Sequence, residues 1–186
     1  MLKLKIAYVA AQYMAERIEN EYIHAKQRAI LELKLPDSSP LPSNRQIKKI
    51  VKEITVNKIG FDEFKKRLNI MRKCAEEIMT IIEDHDPHLI GSVRNGSIRD
   101  GSDIDIHAYG DPEHILSKLE SFGYKDVDLE SVENEKGEFN HIRWSDTFFD
   151  IEITVYPWSK RNEIPYSSIT KKPMIRWTVE KLRKFI

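Results

Sequence analysis

From about Leu4 to Leu35 apolar side chains recur at helical spacing, at Ile6, Val9, Tyr13, Tyr22, Ala25, Ala29 and Leu33, with no Gly or Pro among them. The pattern predicts one long helix. Pro36, Pro40 and Pro42 remove amide donors and clash with a preceding turn, so the stretch they punctuate is a loop. Ser43 or Asn44 then caps a second helix with Ile47, Ile50, Val51 and Ile54 as its buried stripe, and Gly60 breaks it. A third helix carries Phe61, Phe64, Leu68, Met71, Ala75, Ile78 and Ile82 at steps of three and four, all on one face. Its opposite face holds Lys65, Lys66, Arg72, Lys73, Glu76 and Glu77, a solvated surface. Cys74 lies beside the apolar stripe and reads as a small buried residue.

Beyond residue 88 the period changes. His88 to Ser92 reads as a short strand ending in a tight turn, and Ser102 to Tyr109 alternates polar and apolar positions as a two-faced strand does. Asp111 and Pro112 supply an N-cap and a first-turn proline for a helix with Ile115, Leu116, Leu119 and Phe122 inside, closed by Gly123. Strands over Val127–Glu133 and Glu138–Trp144 flank a hairpin turn at Asn134–Gly137, and Phe149–Tyr156 forms another strand stopped by Pro157. Pro173 to Ile186 reads as a terminal helix with Met174, Trp177 and Leu182 inward. The chain is thus α+β: an N-terminal helical region over 1–84, and strands interleaved with helices over 85–186.

Composition narrows the classes. A length of 186 residues fits one domain, or a small domain with a helical attachment. With 40% hydrophobic residues, three Trp, seven Tyr and seven Phe, the chain can build a core. No apolar run reaches the roughly 18–20 residues of a membrane span. Met1 to Tyr8 lacks the unbroken apolar stretch of a secretory signal. A lone cysteine cannot form an internal disulfide and suits a reducing compartment, so a cytoplasmic protein is expected. Thirty basic against thirty acidic side chains leave no net charge, which removes the simplest basis for bulk binding of long nucleic acid. Lys171, Lys172, Arg176, Lys181, Arg183 and Lys184 form a basic C-terminal stretch, read as a solvated charge run.

The chemistry concentrates between Leu89 and Ile106. A strand ending at Gly91-Ser92 and turning into a short helix leaves backbone amides free to hold an anion. Gly91 permits close approach of a ligand, and the Ser92 hydroxyl adds a donor. After a ten-residue spacer, Asp103 and Asp105 share one strand face. Carboxylates so close raise each other's proton affinity unless a cation lies between them, and hard oxygen ligands of this kind suit Mg²⁺. A phosphate cradle beside a magnesium site implies a nucleoside triphosphate. Arg94 and Arg99 are candidates for balancing its charge, and solvated positions are the alternative. His107 lies on the aspartate face and reads as a hydrogen-bonded structural histidine, with contact to substrate as the alternative. Gly91 to Gly96 superficially matches a P-loop, but Ser97-Ile98 stand where that motif needs Lys-Ser/Thr.

Gly91-Ser92, the spacer and Asp103-Ile104-Asp105-Ile106 together resemble the hallmark of the DNA polymerase beta-like nucleotidyltransferase superfamily. The form Gly91-Ser92-Val93-Arg94-Asn95-Gly96, followed by Gly101-Ser102-Asp103, looks most like its small prokaryotic branch of stand-alone and antibiotic-modifying enzymes. The resemblance covers roughly residues 61–157 and implies a nucleotidyltransferase fold, a mixed sheet flanked by helices. It also implies a third carboxylate on a later strand. Asp150, flanked by Phe149 and Ile151, fits that place, and Glu152 satisfies the same local pattern on the same face. The implied roles are catalysis by Asp103, Asp105 and Asp150, metal ligation by these with Glu152, and nucleotide contacts from Gly91, Ser92, Arg94 and Ser102. The implied cofactor is a pair of Mg²⁺ ions, with Mn²⁺ as substitute.

By the same resemblance the reaction is transfer of a nucleoside monophosphate, AMP from ATP, to a hydroxyl with release of pyrophosphate. The acceptor is a small molecule, a protein or an RNA end. Relatives usually carry a helical domain after the sheet, whereas here acceptor contacts would come from the N-terminal helices, the terminal helix or another subunit, with a homodimer through the N-terminal helices as one arrangement and no membrane partner. Two other readings stay open: a catalytically silent nucleotide-binding module, and an antitoxin-like interaction protein of the same fold.

Overall fold

The computed structural model describes residues 1–134, 137–146, 148–166 and 172–186, with the side chains of 133, 134, 137 and 138 outside the description. Glu135 and Lys136 of the expected hairpin turn, and Lys171 of the basic stretch, therefore lie outside the described residues. The elements run α1 (Leu2–Ala15), α2 (Tyr22–Glu32), α3 (Asn44–Ile59), α4 (Phe61–Ile81), a 3₁₀ turn (Glu83–His85), β1 (His88–Leu89), α5 (Gly91–Asn95), β2 (Ile104–Tyr109), α6 (Pro112–Ser121), β3 (Asp128–Asn134), β4 (Gly137–Ser145), β5 (Asp150–Tyr156) and α7 (Val179–Arg183). They form two compact units, residues 1–67 with 97–101, and residues 68–96 with 102–186. Among the described residues no helix is long and apolar enough to cross a membrane.

In the first unit Ile6, Ala7, Ala10, Ala11 and Met14 of α1 bury against Ala25, Ala29 and Ile30 of α2 and Ile47 and Val51 of α3. The alanines let the backbones approach closely. The single long helix expected over Leu4–Leu35 is two helices. Arg17 takes the left-handed conformation (φ 60°), and the amides of Arg17 and Ile18 turn back onto the carbonyls of Met14 (3.3 Å) and Tyr13 (2.9 Å). That is a Schellman-type stop with arginine where glycine is usual, so the ordinary breaker is absent from the sequence. Arg99 completes the junction by donating to the carbonyls of Met14 and Glu19 and to Asn20 Oδ1. Asp100 in turn accepts from Arg67 (2.8 Å) and Lys58 (3.1 Å). The cap of α3 is Ser43, whose side chain and that of Gln46 satisfy each other's backbone amides. Gly60, at φ 86°, ends that helix as expected.

The second unit is a five-stranded mixed sheet of order β1-β2-β5-β4-β3, flanked by helices. β2 and β5 are parallel, and the other neighbouring pairs are antiparallel. Period-two alternation gives the sheet two faces. Ile104, Ile106 and Ala108 of β2 register with Ile151, Ile153 and Val155 of β5, and all six are buried. Met71, Ala75, Ile78 and Ile82 of the third predicted helix are buried too, whereas Phe61 is exposed. In α6 Ile115 and Leu119 are buried and Phe122 is exposed, because the chain turns away at Phe122 before Gly123.

The terminal helix expected from Pro173 is confined to Val179–Arg183. Upstream, Trp177 forms an antiparallel bridge with Leu89 through amide–carbonyl bonds of 2.8 and 3.0 Å. β1 is only two residues long, and its exposed edge captures this segment before a helix can start; Thr178 then caps α7.

Candidate active site

β2 and β5 run side by side in parallel, so residues of equal register project from the same face. Asp105 stands opposite Glu152, and Ile104 opposite Ile151. On this face β2 presents Asp105, His107 and Tyr109, and β5 presents Asp150, Glu152, Thr154 and Tyr156. Asp103 precedes the first strand residue and is exposed. Asp103, Asp150 and Glu152 line one cleft of about 560 Å³ with Asp126, Asp128, Arg143 and Ser145.

Asp105 is the most perturbed of these carboxyls. Burial, then the charges of Asp103 and Glu152, push its pKa up to about 7. Asp105 is opposite Glu152 in register, and Asp103 lines the same cleft as Glu152. Asp150 does not contribute to that shift. Its Oδ1 instead accepts from Ser145 Oγ at 2.7 Å, and its side chain is exposed.

The Gly91-Ser92 turn abuts the same carboxyl. Gly91 opens α5 at φ 67°, and a Cβ there would lie 1.9 Å from Asp105 Oδ2. Only glycine fits. The amide of Ile90 donates to the Asp105 carbonyl at 3.0 Å, fastening turn to strand. Ser92 Oγ is buried without a hydrogen-bond partner among the described residues. Arg94, on the same short helix, rests its guanidinium 5.9 Å from the Trp177 ring centre, and its Nε is likewise buried and unpaired. Ser102, next to Asp103, is buried.

Two other expectations resolve differently. Arg99 donates to the α1–α2 junction of the helical unit, so its hydrogen-bond donors are engaged there. His107 is buried and stacks edge-on to Tyr156 at 5.0 Å. Burial, then the positive charge of Arg176 and neighbouring histidines, drive its pKa down to about 3, and its Nδ1 has no hydrogen-bond partner among the described residues. Cys74 is half-buried, and burial with Asp146 and Glu77 nearby pushes its thiol up to about 11, so it is a poor nucleophile.

Sequence reasoning passed over two residues of β4. Arg143 registers with Glu152 and donates to it from Nε at 2.8 Å, while its Nη1 reaches Glu130 at 2.6 Å. His141 Nδ1 lies 3.1 Å from the other Glu152 oxygen. The alternation His141-Ile142-Arg143 marks a strand with a polar face, but only the register places that face against β5.

The site therefore offers a cluster of hard oxygen donors, one of them strongly protonophilic, beside a glycine turn with an unpaired hydroxyl. Neither a protein-family model nor a curated protein matches the chain. Among solved structures it is similar to a cytoplasmic RNA terminal U-transferase at 22% identity over 60% of this chain, with TM-score 0.35. It is also similar to the GLD-2/RNP-8 complex (19% identity, 63% of this chain, TM-score 0.36) and to the Cid1 poly(U) polymerase with MgGTP bound (19%, 61%, TM-score 0.33). The chain spans only 35%, 40% and 38% of those chains respectively.

Proposed function

We propose that this chain is a metal-dependent nucleotidyltransferase that moves a nucleoside monophosphate from a triphosphate to a hydroxyl acceptor. The observation that carries the reading is the meeting of Asp105 with Gly91 on one side and with Asp103 and Glu152 on the other. The donor set fits a divalent cation: carboxylates that raise one another's proton affinity are relieved by a hard, doubly charged ion. Asp103, Asp105 and Glu152 would hold it, with Asp150 at the open side of the cleft. When bound, such ions polarise the α-phosphate and lower the pKa of the acceptor hydroxyl.

The chain's own groups do the positioning. The Gly91 and Ser92 amides with the Ser92 hydroxyl bind the β- and γ-phosphates, and Arg94 and Ser102 flank them, which aligns the α-phosphorus for in-line attack. Asp150, exposed and hydrogen-bonded to Ser145, would take the proton of the acceptor hydroxyl. Arg143 fixes the rotamer of Glu152. By family resemblance ATP is the donor, Mg²⁺ the ion, and the branch the small prokaryotic one. The acceptor is a small molecule, a protein or an RNA end.

The test is release of pyrophosphate by the purified chain from each of the four triphosphates with Mg²⁺, across small-molecule, protein and RNA acceptors. The reading requires that the Asp103→Ala/Asp105→Ala chain be inactive while retaining its melting transition; unchanged activity in that double variant overturns it. A silent nucleotide-binding module is favoured by one observation, the engagement of Glu152 by Arg143. Magnesium-dependent triphosphate binding without pyrophosphate release from any acceptor would select it.

A further inference from the structure

At the far end of β2 from the aspartates stands a second polar cluster that nucleotide chemistry does not use. His85 of the 3₁₀ turn is buried, and its Nδ1 lies 2.9 Å from the Tyr109 carbonyl oxygen. A carbonyl only accepts, so Nδ1 carries the proton, and in the neutral ring Nε2 presents a bare lone pair. That lone pair faces His114 Nδ1 at 3.0 Å, from the first turn of α6. Asp84 Oδ2 lies 3.9 Å from the same Nε2, and its other oxygen is held by Lys118 at 2.5 Å. One ligand atom from each of Asp84, His85 and His114 falls within 4.8 Å of the others.

We propose that Asp84, His85 and His114 bind a divalent transition-metal ion of the Zn²⁺ class. Tetrahedral zinc with bonds of about 2.0–2.1 Å sets its ligand atoms about 3.3 Å apart. The two imidazole nitrogens need open by only a few tenths of an ångström and turn toward the ion, while Asp84 Oδ2, 3.9 Å from His85 Nε2, must close on it. The hydrogen bond from His85 Nδ1 to a backbone carbonyl is the support that orients a ligating imidazole and fixes its tautomer. Gly110, next to Tyr109, makes room for the ring: a Cβ there would lie 3.0 Å from His85 Nδ1. On binding, the His114 proton resides on its Nε2, and three protein ligands leave the fourth position to water. Two imidazoles and one carboxylate suit a borderline ion rather than Mg²⁺, which separates this site from the carboxylate cleft. From Asp105 to Tyr109 is four strand residues, about 13 Å. The ion would clip the 3₁₀ turn to α6 across the end of β2.

The experiment titrates ZnCl₂, and separately CoCl₂, into the chelator-treated 186-residue chain carrying Asp103→Asn, Asp105→Asn, Asp150→Asn and Glu152→Gln, which removes the carboxylates proposed to hold the other ion. One equivalent of Zn²⁺ should bind, the melting temperature should rise, and Co²⁺ should show the visible bands of a four-coordinate ion. Adding His114→Ala, an exposed position, should weaken binding at least about tenfold. Zn²⁺ should also shift the His85 Nε2 and His114 Nδ1 nitrogen resonances in the chain with both histidines intact, a readout that needs no histidine variant. No uptake at micromolar Zn²⁺, equal affinity with and without His114, or uptake that leaves both nitrogens unshifted would overturn the site.

Discussion

The two ends of β2 carry two kinds of polar cluster, and they handle charge in opposite ways. At the start, Asp105 stands opposite Glu152 with Asp103 nearby, and among the described residues the cation paired with this group, Arg143, reaches Glu152 rather than Asp105. At the finish, His85 is hydrogen-bonded to the Tyr109 carbonyl and to His114, and Asp84 is held by Lys118. The first cluster is under electrostatic tension that a hard cation would relieve. The second is satisfied as it stands, and an ion there would replace one hydrogen bond. Burial alone does not set what a polar cluster can hold: the first offers repelling carboxylate oxygens suited to a hard cation, the second imidazole nitrogens suited to a borderline one.

The widest separation between the ends should appear in activity. Asp103→Ala with Asp105→Ala should lower pyrophosphate release by at least about 1,000-fold, while His114→Ala leaves it within a factor of about three. A steady-state assay of the two chains checks this, and equal losses would erase the distinction. Next comes the choice within β5. Glu152→Gln should cost about 100-fold, and Asp150→Asn should lower kcat without weakening triphosphate binding. If Asp150→Asn instead abolishes magnesium-dependent triphosphate binding and Glu152→Gln leaves it intact, Asp150 is the inner ligand.

A pH series sharpens the electrostatic side. Asp105 has a folded pKa near 7 against an ordinary value near 4, so the native state binds the proton more tightly. Its stabilising proton is present below about pH 4 and is lost as pH rises through about 7. Metal-free Asp105→Asn should therefore melt higher than the natural chain at pH 8, by the equivalent of about 2 kcal/mol after discount for partial solvation. The two should converge at pH 4, and thermal melts across that range decide it. The smallest effect belongs to neither end: Arg99→Ala, which breaks the α1–α2 junction, should destabilise the helical unit by about 1–2 kcal/mol without changing triphosphate affinity.

The sheet was legible because alternation in Ser102–Tyr109 and Phe149–Tyr156 survives any choice of partner strand. The apolar registers Ile104–Ile151 and Ile106–Ile153 follow from it once the strands pair. Gly91, Ser92, Asp103 and Asp105 could be singled out because they lie close in sequence. The preference between Asp150 and Glu152 could not be read locally, since both share a face and only the register sets Glu152 opposite Asp105. The stop after Ala15 escaped notice because arginine fills the glycine position and its partner Arg99 is more than 80 residues away. The extended run before α7 escaped for a related reason: the edge of β1, not local propensity, determines it. His85 and His114, 29 residues apart, have no spacing that signals a ligand pair.

The placement of residues 97–101 bears on how this molecule is handled at the bench. A shortened chain beginning at residue 85 would carry Arg99 and Asp100 into solution stripped of Met14, Asn20, Lys58 and Arg67. The loop that links the glycine turn to the paired aspartates would lose its anchors, so a dead fragment would report on missing scaffolding rather than on chemistry. Recombination partners and cut sites are better chosen outside that stretch.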